Sequence, residues 1–294
     1  MQRSGPALLI VAAALCWSLL GPVSRLAFAE GVSPVEMAFW RAALATILFG
    51  LHAWIIGAKV PQRRDARGLL TFAVVGGSLF FLSYQMAVEA GGAALAAVLL
   101  YTAPAWVIVA AAFLLKERIT ALRLVALGLT LAGISLIAMQ GGDARVTAAA
   151  IIWGLIAGVS YASYYLFGKT YFDRYRPEMV YALIFPVAAL TLLPFVSFVA
   201  KSMTAWMAIL TVVAVSTYLS YLLYGLGLKR IEAGRASLLA TIEPVSASLI
   251  AYAWWGERFT AFGYIGATLV IAAVLLSLRQ PKAVSAPASP RKSV

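Results

Sequence analysis

The chain has 294 residues, 63% of them apolar and only 12% charged, with a mean hydropathy of +0.92. A water-soluble domain carries roughly 25% charged and 45–50% apolar residues, so a soluble fold is excluded and most of this surface must meet lipid. The net charge of +12 does not point to nucleic acid, because Lys and Arg fall in short bursts between apolar runs and form no single basic patch.

A spanning helix needs about 20 apolar residues. Runs of that length fall at 6–28, 34–56, 68–90, 92–115, 122–139, 147–171, 179–199, 205–229, 234–255 and 261–278. In the first, Ala27-Phe28-Ala29 resembles a signal cleavage site, but the apolar stretch exceeds the roughly 7–15 residues of a signal peptide and reads as a span. The second holds Glu36 and Arg41, read as a structural ion pair in preference to a carboxylate clamp, and ends near His52, an interfacial side chain. Runs three and four are divided only by Ala90-Gly91-Gly92, with Tyr84 and Tyr101 facing the outer half.

Pro104 lies mid-run in four and Pro244 mid-run in nine. Each strips one backbone hydrogen bond, freeing the carbonyls of Leu100 and Ala240, and each kinks its helix. In run six, Gly154 and Gly158 form a GxxxG pattern that packs helices. Tyr161 and Tyr164 share a face there, as do Tyr218, Tyr221 and Tyr224 in run eight. Mid-helix tyrosines need a hydroxyl partner, which a wet cavity supplies. Trp54, Trp206, Trp254 and Trp255 read as an interfacial belt.

Glu243, beside Pro244, is an intramembrane acid that costs about 2.5–3.5 kcal/mol to insert. Two readings stand for it: a substrate-amine contact or protonatable switch, and a side chain that locks the kink. Thr120 and Thr260 follow the pairs Glu117-Arg118 and Glu257-Arg258 and read as N-caps of helices five and ten. Residues 281–294, rich in Pro, Ser, Ala, Lys and Arg, read as a disordered cytoplasmic tail.

With the N-terminus placed in the cytoplasm, eighteen of the 23 Lys and Arg fall on the inner loops and ends. Arg25, Arg41, Arg145, Lys201 and Arg258 remain. That split predicts cytoplasmic termini and an even number of spans. The single Cys16 excludes an internal disulfide and, with one histidine, a Cys/His zinc cluster. No metal or cofactor is expected.

Two stretches copy each other. Glu89-Ala90-Gly91 leads through Pro104 to Glu117-Arg118-Ile119-Thr120, and Glu232-Ala233-Gly234 leads through Pro244 to Glu257-Arg258-Phe259-Thr260. Upstream, Trp17 with Val23-Ser24 is matched to Trp153 with Val159-Ser160. The chain thus divides into a five-helix repeat over 1–140 and a second over 141–280. Five is odd, so the second copy enters the membrane inverted, an architecture that exchanges inward and outward openings when the halves swap conformation.

These motifs resemble the drug/metabolite transporter superfamily in its EamA-domain branch, over about 6–278, and within it bacterial aromatic amino acid exporters. The resemblance implies an all-helical protein of ten transmembrane helices in the bacterial inner membrane. It implies alternating-access export of amino acids of broad specificity, with nucleotide sugars or other phosphorylated metabolites as the alternative cargo. It also implies a midplane cavity between helices one, three, four, six, eight and nine, with five and ten as outer supports. The cavity-lining set is Trp17, Tyr84, Tyr101, Trp153, Tyr161, Tyr221 and Glu243, with Pro104 and Pro244 as hinges. Partners are the small-molecule substrate and the lipid bilayer, with no nucleic acid; the oligomeric state is open, with a monomer favoured. An intramembrane serine protease at Ser160 is set aside, since His52 lies too far along helix two to act as its base, and no H-E-x-x-H or paired aspartates are present.

Overall fold

The computed structural model describes residues 5–139, 146–256 and 260–279. Arg3, Arg145, the 257–259 segment and the tail, on which parts of the charge count, the second repeat motif and the disorder assignment rest, lie outside them. Every regular element among the described residues is helical. Ten spans are long and apolar enough to cross a membrane: α1 (Gly5–Phe28), α2 (Pro34–Ile55), α3 (Arg63–Gly91), α4 (Leu95–Leu114), α5 (Ala121–Ala138), α6 (Ala148–Phe172), α7 (Pro177–Phe195), α8 (Met203–Leu228), α9 (Ala233–Trp254) and α10 (Ala261–Leu278).

Their starts follow local chemistry. Ser33, Thr120, Thr147, Ser202 and Thr260 each accept a backbone N–H three residues on, at 3.1–3.4 Å, and so cap α2, α5, α6, α8 and α10. α3 begins five residues before its apolar run. Asp65 there accepts from Arg174 at 2.8 Å and from the Tyr175 hydroxyl at 2.7 Å, which gives a charged first turn its partners. α7 stops at Phe195, before the end of the apolar run that reaches 199, with Pro194 in its last turn.

Packing repeats when the two groups of five are exchanged. α1 lies against α8 and α9, and α6 lies against α3 and α4. α2 pairs with α7, α5 with α10, and α4 with α9, each span meeting its own counterpart. Helix irregularities repeat as well. The backbone widens into π-helical turns over Ala73–Leu79 in α3 and Val212–Leu219 in α8, the third span of each group.

Connections also sort by face. On one face Asp65 joins the α2–α3 and α6–α7 connections, while the Glu117 carboxylate accepts from the Ala233 and Gly234 amides at 2.6 and 3.1 Å. Glu117 and Glu232 both pair with Arg123 there, and Arg235 donates to the Ser277 and Leu278 carbonyls at the end of α10. On the opposite face Lys201, before α8, pairs with Glu36 at the start of α2.

The α5–α10 crossing brings two backbones into direct contact. A Cβ on Gly133 would lie 2.6 Å from the Gly266 carbonyl oxygen, and one on Gly266 would lie 2.5 Å from the Gly133 oxygen. Small residues let the two backbones touch where lipid offers no hydrophobic drive for association. Gly128, on the same helix, has open space around its missing Cβ. Gly133→Val should destabilise the protein by about 1–3 kcal/mol through overpacking, whereas Gly128→Val should leave it as stable as the parent; thermal unfolding in detergent distinguishes the two.

Candidate functional site

Three spans are interrupted at mid-depth. α1 breaks at Leu19, α4 at Tyr101 and Thr102, and α9 at Thr241. At each break a hydroxyl turns back to a leucine carbonyl three residues earlier: Ser18 to Leu15 at 2.6 Å, Thr102 to Leu99 at 2.6 Å and Thr241 to Leu238 at 2.7 Å. Pro104 and Pro244 each stand within the first turn of the half-helix that resumes. The sequence predicts a kink at these prolines; the helix is interrupted for one or two residues just before each one, with the backbone there still near helical dihedrals (Thr102 φ −68°, ψ −14°; Thr241 φ −68°, ψ −3°).

The GxxxG pair of α6 sits against the α4 break. A Cβ on Gly158 would approach the Thr102 hydroxyl to 2.7 Å and the Leu99 carbonyl to 2.8 Å, and one on Gly154 would overlap Leu99. Only glycine lets α6 come this near the exposed turn.

A cavity of about 590 Å³ occupies the space between these broken spans. It runs from Trp17, Tyr161, Tyr221 and Glu243 at mid-depth to Phe28, Pro34 and Phe195 at the face that carries Lys201. Of the seven cavity residues expected from sequence, Trp17, Tyr84, Tyr101, Tyr161, Tyr221 and Glu243 line it. Trp153 does not. It lies five residues after the start of α6, whereas Trp17 lies twelve after the start of α1. Tyr161, thirteen residues into α6, is at the matching depth, and it stacks on Phe80 of α3 at 5.3 Å as Trp17 packs on Tyr221 of α8 at 5.4 Å.

α2 and α7 also contribute to the wall, through Met37, Ala38, Arg41, Leu192 and Phe195; no lining residue comes from α5 or α10. Arg41 was expected to pair with Glu36, and it does not. Glu36 is held by Lys201 and by the Trp40 indole at 3.2 Å, and the Lys201 ammonium lies 5.4–5.8 Å from the Trp40, Phe198 and Trp206 rings. Trp206, half-buried in the first turn of α8, is part of this cage, while Trp54 and Trp254 are exposed as a belt requires. The side chain of Trp255 lies outside the described residues. His52 is satisfied by the Tyr218 hydroxyl at 2.7 Å.

Beneath the cavity, toward the Glu117 face, aromatic rings close the path. Tyr221 packs on Trp17, Tyr164 and Tyr181 with centroids 5.1–5.6 Å apart, and Tyr224 packs on Trp17 and Tyr165 at 5.4 Å. Such edge and tilted contacts contribute about 0.5–1.5 kcal/mol each beyond burial. The hydroxyls of Tyr181 and Tyr224 are buried with no partner among the described residues. The floor is therefore held mainly by ring packing, with few directional bonds.

A cavity entered from one face and sealed toward the other, between repeated groups of broken helices, is a transporter's arrangement. The family model of the EamA-like transporter family matches the chain twice, over residues 5–139 and 148–279. The chain belongs to the EamA-like transporter family. It is 30% identical over 279 residues to an "Uncharacterized transporter" of Archaeoglobus fulgidus, covering 95% of this chain and 98% of that one. It is 27% identical to the "Uncharacterized inner membrane transporter YicL" of Salmonella typhimurium, covering 91% and 93%. It is 23% identical to the "Probable terminal-alkyne amino-acid exporter" of Streptantibioticus cattleyicolor, covering 95% of each. A solved crystal structure superposes with a TM-score of 0.82 at 18% identity, over 94% of this chain and 99% of that one, and shows the same fold. This EamA-family chain is a multi-pass membrane transporter, not an enzyme.

In a protein whose Cys16 is replaced by alanine, Tyr84→Cys and Ala247→Cys, both in the cavity wall, should react with a charged, water-soluble thiol reagent. Trp153→Cys should react much more slowly, because a thiol outside the wet cavity is shielded by protein and lipid. Equal rates at all three positions would place Trp153 back in the wall.

Proposed function

We propose that this transporter exports amino acids, aromatic ones among them, across the bacterial inner membrane by alternating access. One observation carries the reading: a cavity of about 590 Å³, within the roughly 300–1,000 Å³ of small-molecule sites, has walls of aromatic rings and a single acid, Glu243. Aromatic walls give contact area without strict directionality, which suits side chains of several shapes. Glu243 receives the substrate ammonium, with the Ala240 carbonyl, to which Pro244 donates nothing, beside it in sequence. Trp17, Tyr84, Tyr101, Tyr161 and Tyr221 form the rest of the binding surface.

The Glu117 face is cytoplasmic on the charge count, and both termini lie there. Five spans per repeat make the second repeat inverted, and the exchange symmetry of the packing and of the π-helical turns supports this. The structure is then outward-facing, with the tyrosine floor as the closed inner gate. Pro104 and Pro244 are the hinges about which the half-helices of α4 and α9 swing when the floor opens. The relative named a "Probable terminal-alkyne amino-acid exporter" supports the substrate class.

Nucleotide sugars are the second reading, and Arg25 and Arg41 on the cavity wall are the observation in its favour. A phosphorylated cargo needs several cations aimed at it, and Glu243 on the same wall opposes it. Proteoliposomes loaded with labelled phenylalanine, tryptophan, leucine and a nucleotide sugar decide between them. Amino acid flux is expected, reduced about 10–100-fold in Glu243→Gln, the loss of one charge-assisted hydrogen bond. Flux of the nucleotide sugar alone would overturn the proposal.

A further inference from the structure

Arg41 has a geometry that aromatic walls and Glu243 leave unused. Its side chain enters the cavity wall from α2, is 8% exposed, and lies with its guanidinium carbon 5.5 Å from the centroid of the Phe81 ring. One of its five donors is committed: Nε donates to the Thr217 hydroxyl at 3.1 Å. Thr217 is itself fully buried and donates its proton to the Val212 carbonyl at 3.2 Å, five residues back, across the π-helical turns of α8. The stem of the guanidinium is therefore fixed from below by Thr217 and from the side by Phe81. Arg41 makes no contact ion pair among the described residues: Glu243, on the same cavity wall, is the acid whose charge acts on it across the space, and Glu36 is held by Lys201 and Trp40.

A buried guanidinium whose only counter-charge lies across a cavity is costly until a carboxylate contacts it directly. A fixed fork of N–H donors matches a planar carboxylate in two parallel hydrogen bonds. We infer that Arg41 receives the substrate's carboxylate through this fork, and that Thr217 is a positioning residue that aims it. The inference rests on the amino acid reading and sharpens it. With Glu243 on α9 for the ammonium and Arg41 on α2 for the carboxylate, the cargo is a free zwitterionic amino acid, and its amides, esters and decarboxylated amines are poor cargo. Thr217 stands one helical turn before Tyr221, a ring of both the cavity wall and the floor. A carboxylate that pulls on Arg41 thus acts on the stretch of α8 that carries part of the inner gate.

The test is competition against labelled phenylalanine uptake in proteoliposomes, with unlabelled phenylalanine, its carboxamide and phenethylamine as competitors. Wild type should prefer the free acid over the amide by about 10–100-fold, the range for a charge-assisted pair. In Arg41→Gln that preference should fall to near one, with the loss in KM and not in kcat. Arg41→Lys, which keeps the charge but not the fork, should fall between. Thr217→Val should erode the preference and Thr217→Ser should restore it, a pattern that general destabilisation does not produce. A wild-type preference retained in Arg41→Lys and Thr217→Val overturns the inference even if Arg41→Gln does not fold. Wild-type liposomes that take up no amino acid overturn the substrate reading itself, and this inference with it.

Discussion

Hydrocarbon offers no partner to a backbone amide or carbonyl, so a helix that breaks within a membrane must satisfy the freed groups from its own side chains or line a wet space. The three breaks of this chain meet that constraint in one way. Ser18, Thr102 and Thr241 each turn a hydroxyl back to a leucine carbonyl, and each break lies beside the cavity or its floor. The two π-helical stretches obey the same rule. Thr217 bridges the widened turn of α8 with its hydroxyl, and Gly76 and Gly77 let α3 approach Ser163 of α6 and Ala188 of α7 where its own turn widens. The backbone irregularities of α1, α3, α4, α8 and α9 lie around the cavity and its floor.

Around that irregular centre the chain uses two different kinds of closure. Toward the Glu117 face the aromatic floor excludes water by ring packing, and the layer beyond it is ionic: Glu117 caps the start of α9 through the Ala233 and Gly234 amides and shares Arg123 with Glu232. This ties the α4–α5 connection and the start of α5 to the start of α9. A carboxylate on a helix N-terminus is stabilised by the backbone dipole as well as by its hydrogen bonds, so the outer layer is strong and directional where the inner layer is weak and adaptable. The α5–α10 pair, joined by reciprocal glycine contacts, stays outside the cavity.

Much of this was legible in the sequence, for physical reasons that also explain the failures. Ten spans follow from apolar length alone, and the prolines mark the interrupted helices because a missing N–H reads the same in any context. Trp153 was misplaced because a shared Trp…Val-Ser spacing was given more weight than depth. Measured from the start of its span, Tyr161 and not Trp153 stands level with Trp17. The Glu36–Arg41 pair failed on helix geometry: five residues place two side chains about 140° apart on the helix, so Glu36 turns to Lys201 and Arg41 to the cavity. Nothing in the local sequence announces the Lys201 cage, since Trp40, Phe198 and Trp206 come from three separate segments. The π-helical turns carry no motif at all.

The central claim is that the two repeats exchange conformations, so that one face opens as the other closes. Paired spin labels measure this directly in a Cys16→Ala background, one pair at Lys116 and Arg230 on the Glu117 face and one at Glu30 and Ala253 on the opposite face. Addition of a transported amino acid to the purified protein in lipid should lengthen the first distance and shorten the second. Distances that both stay fixed, or that change with the same sign, would contradict the account.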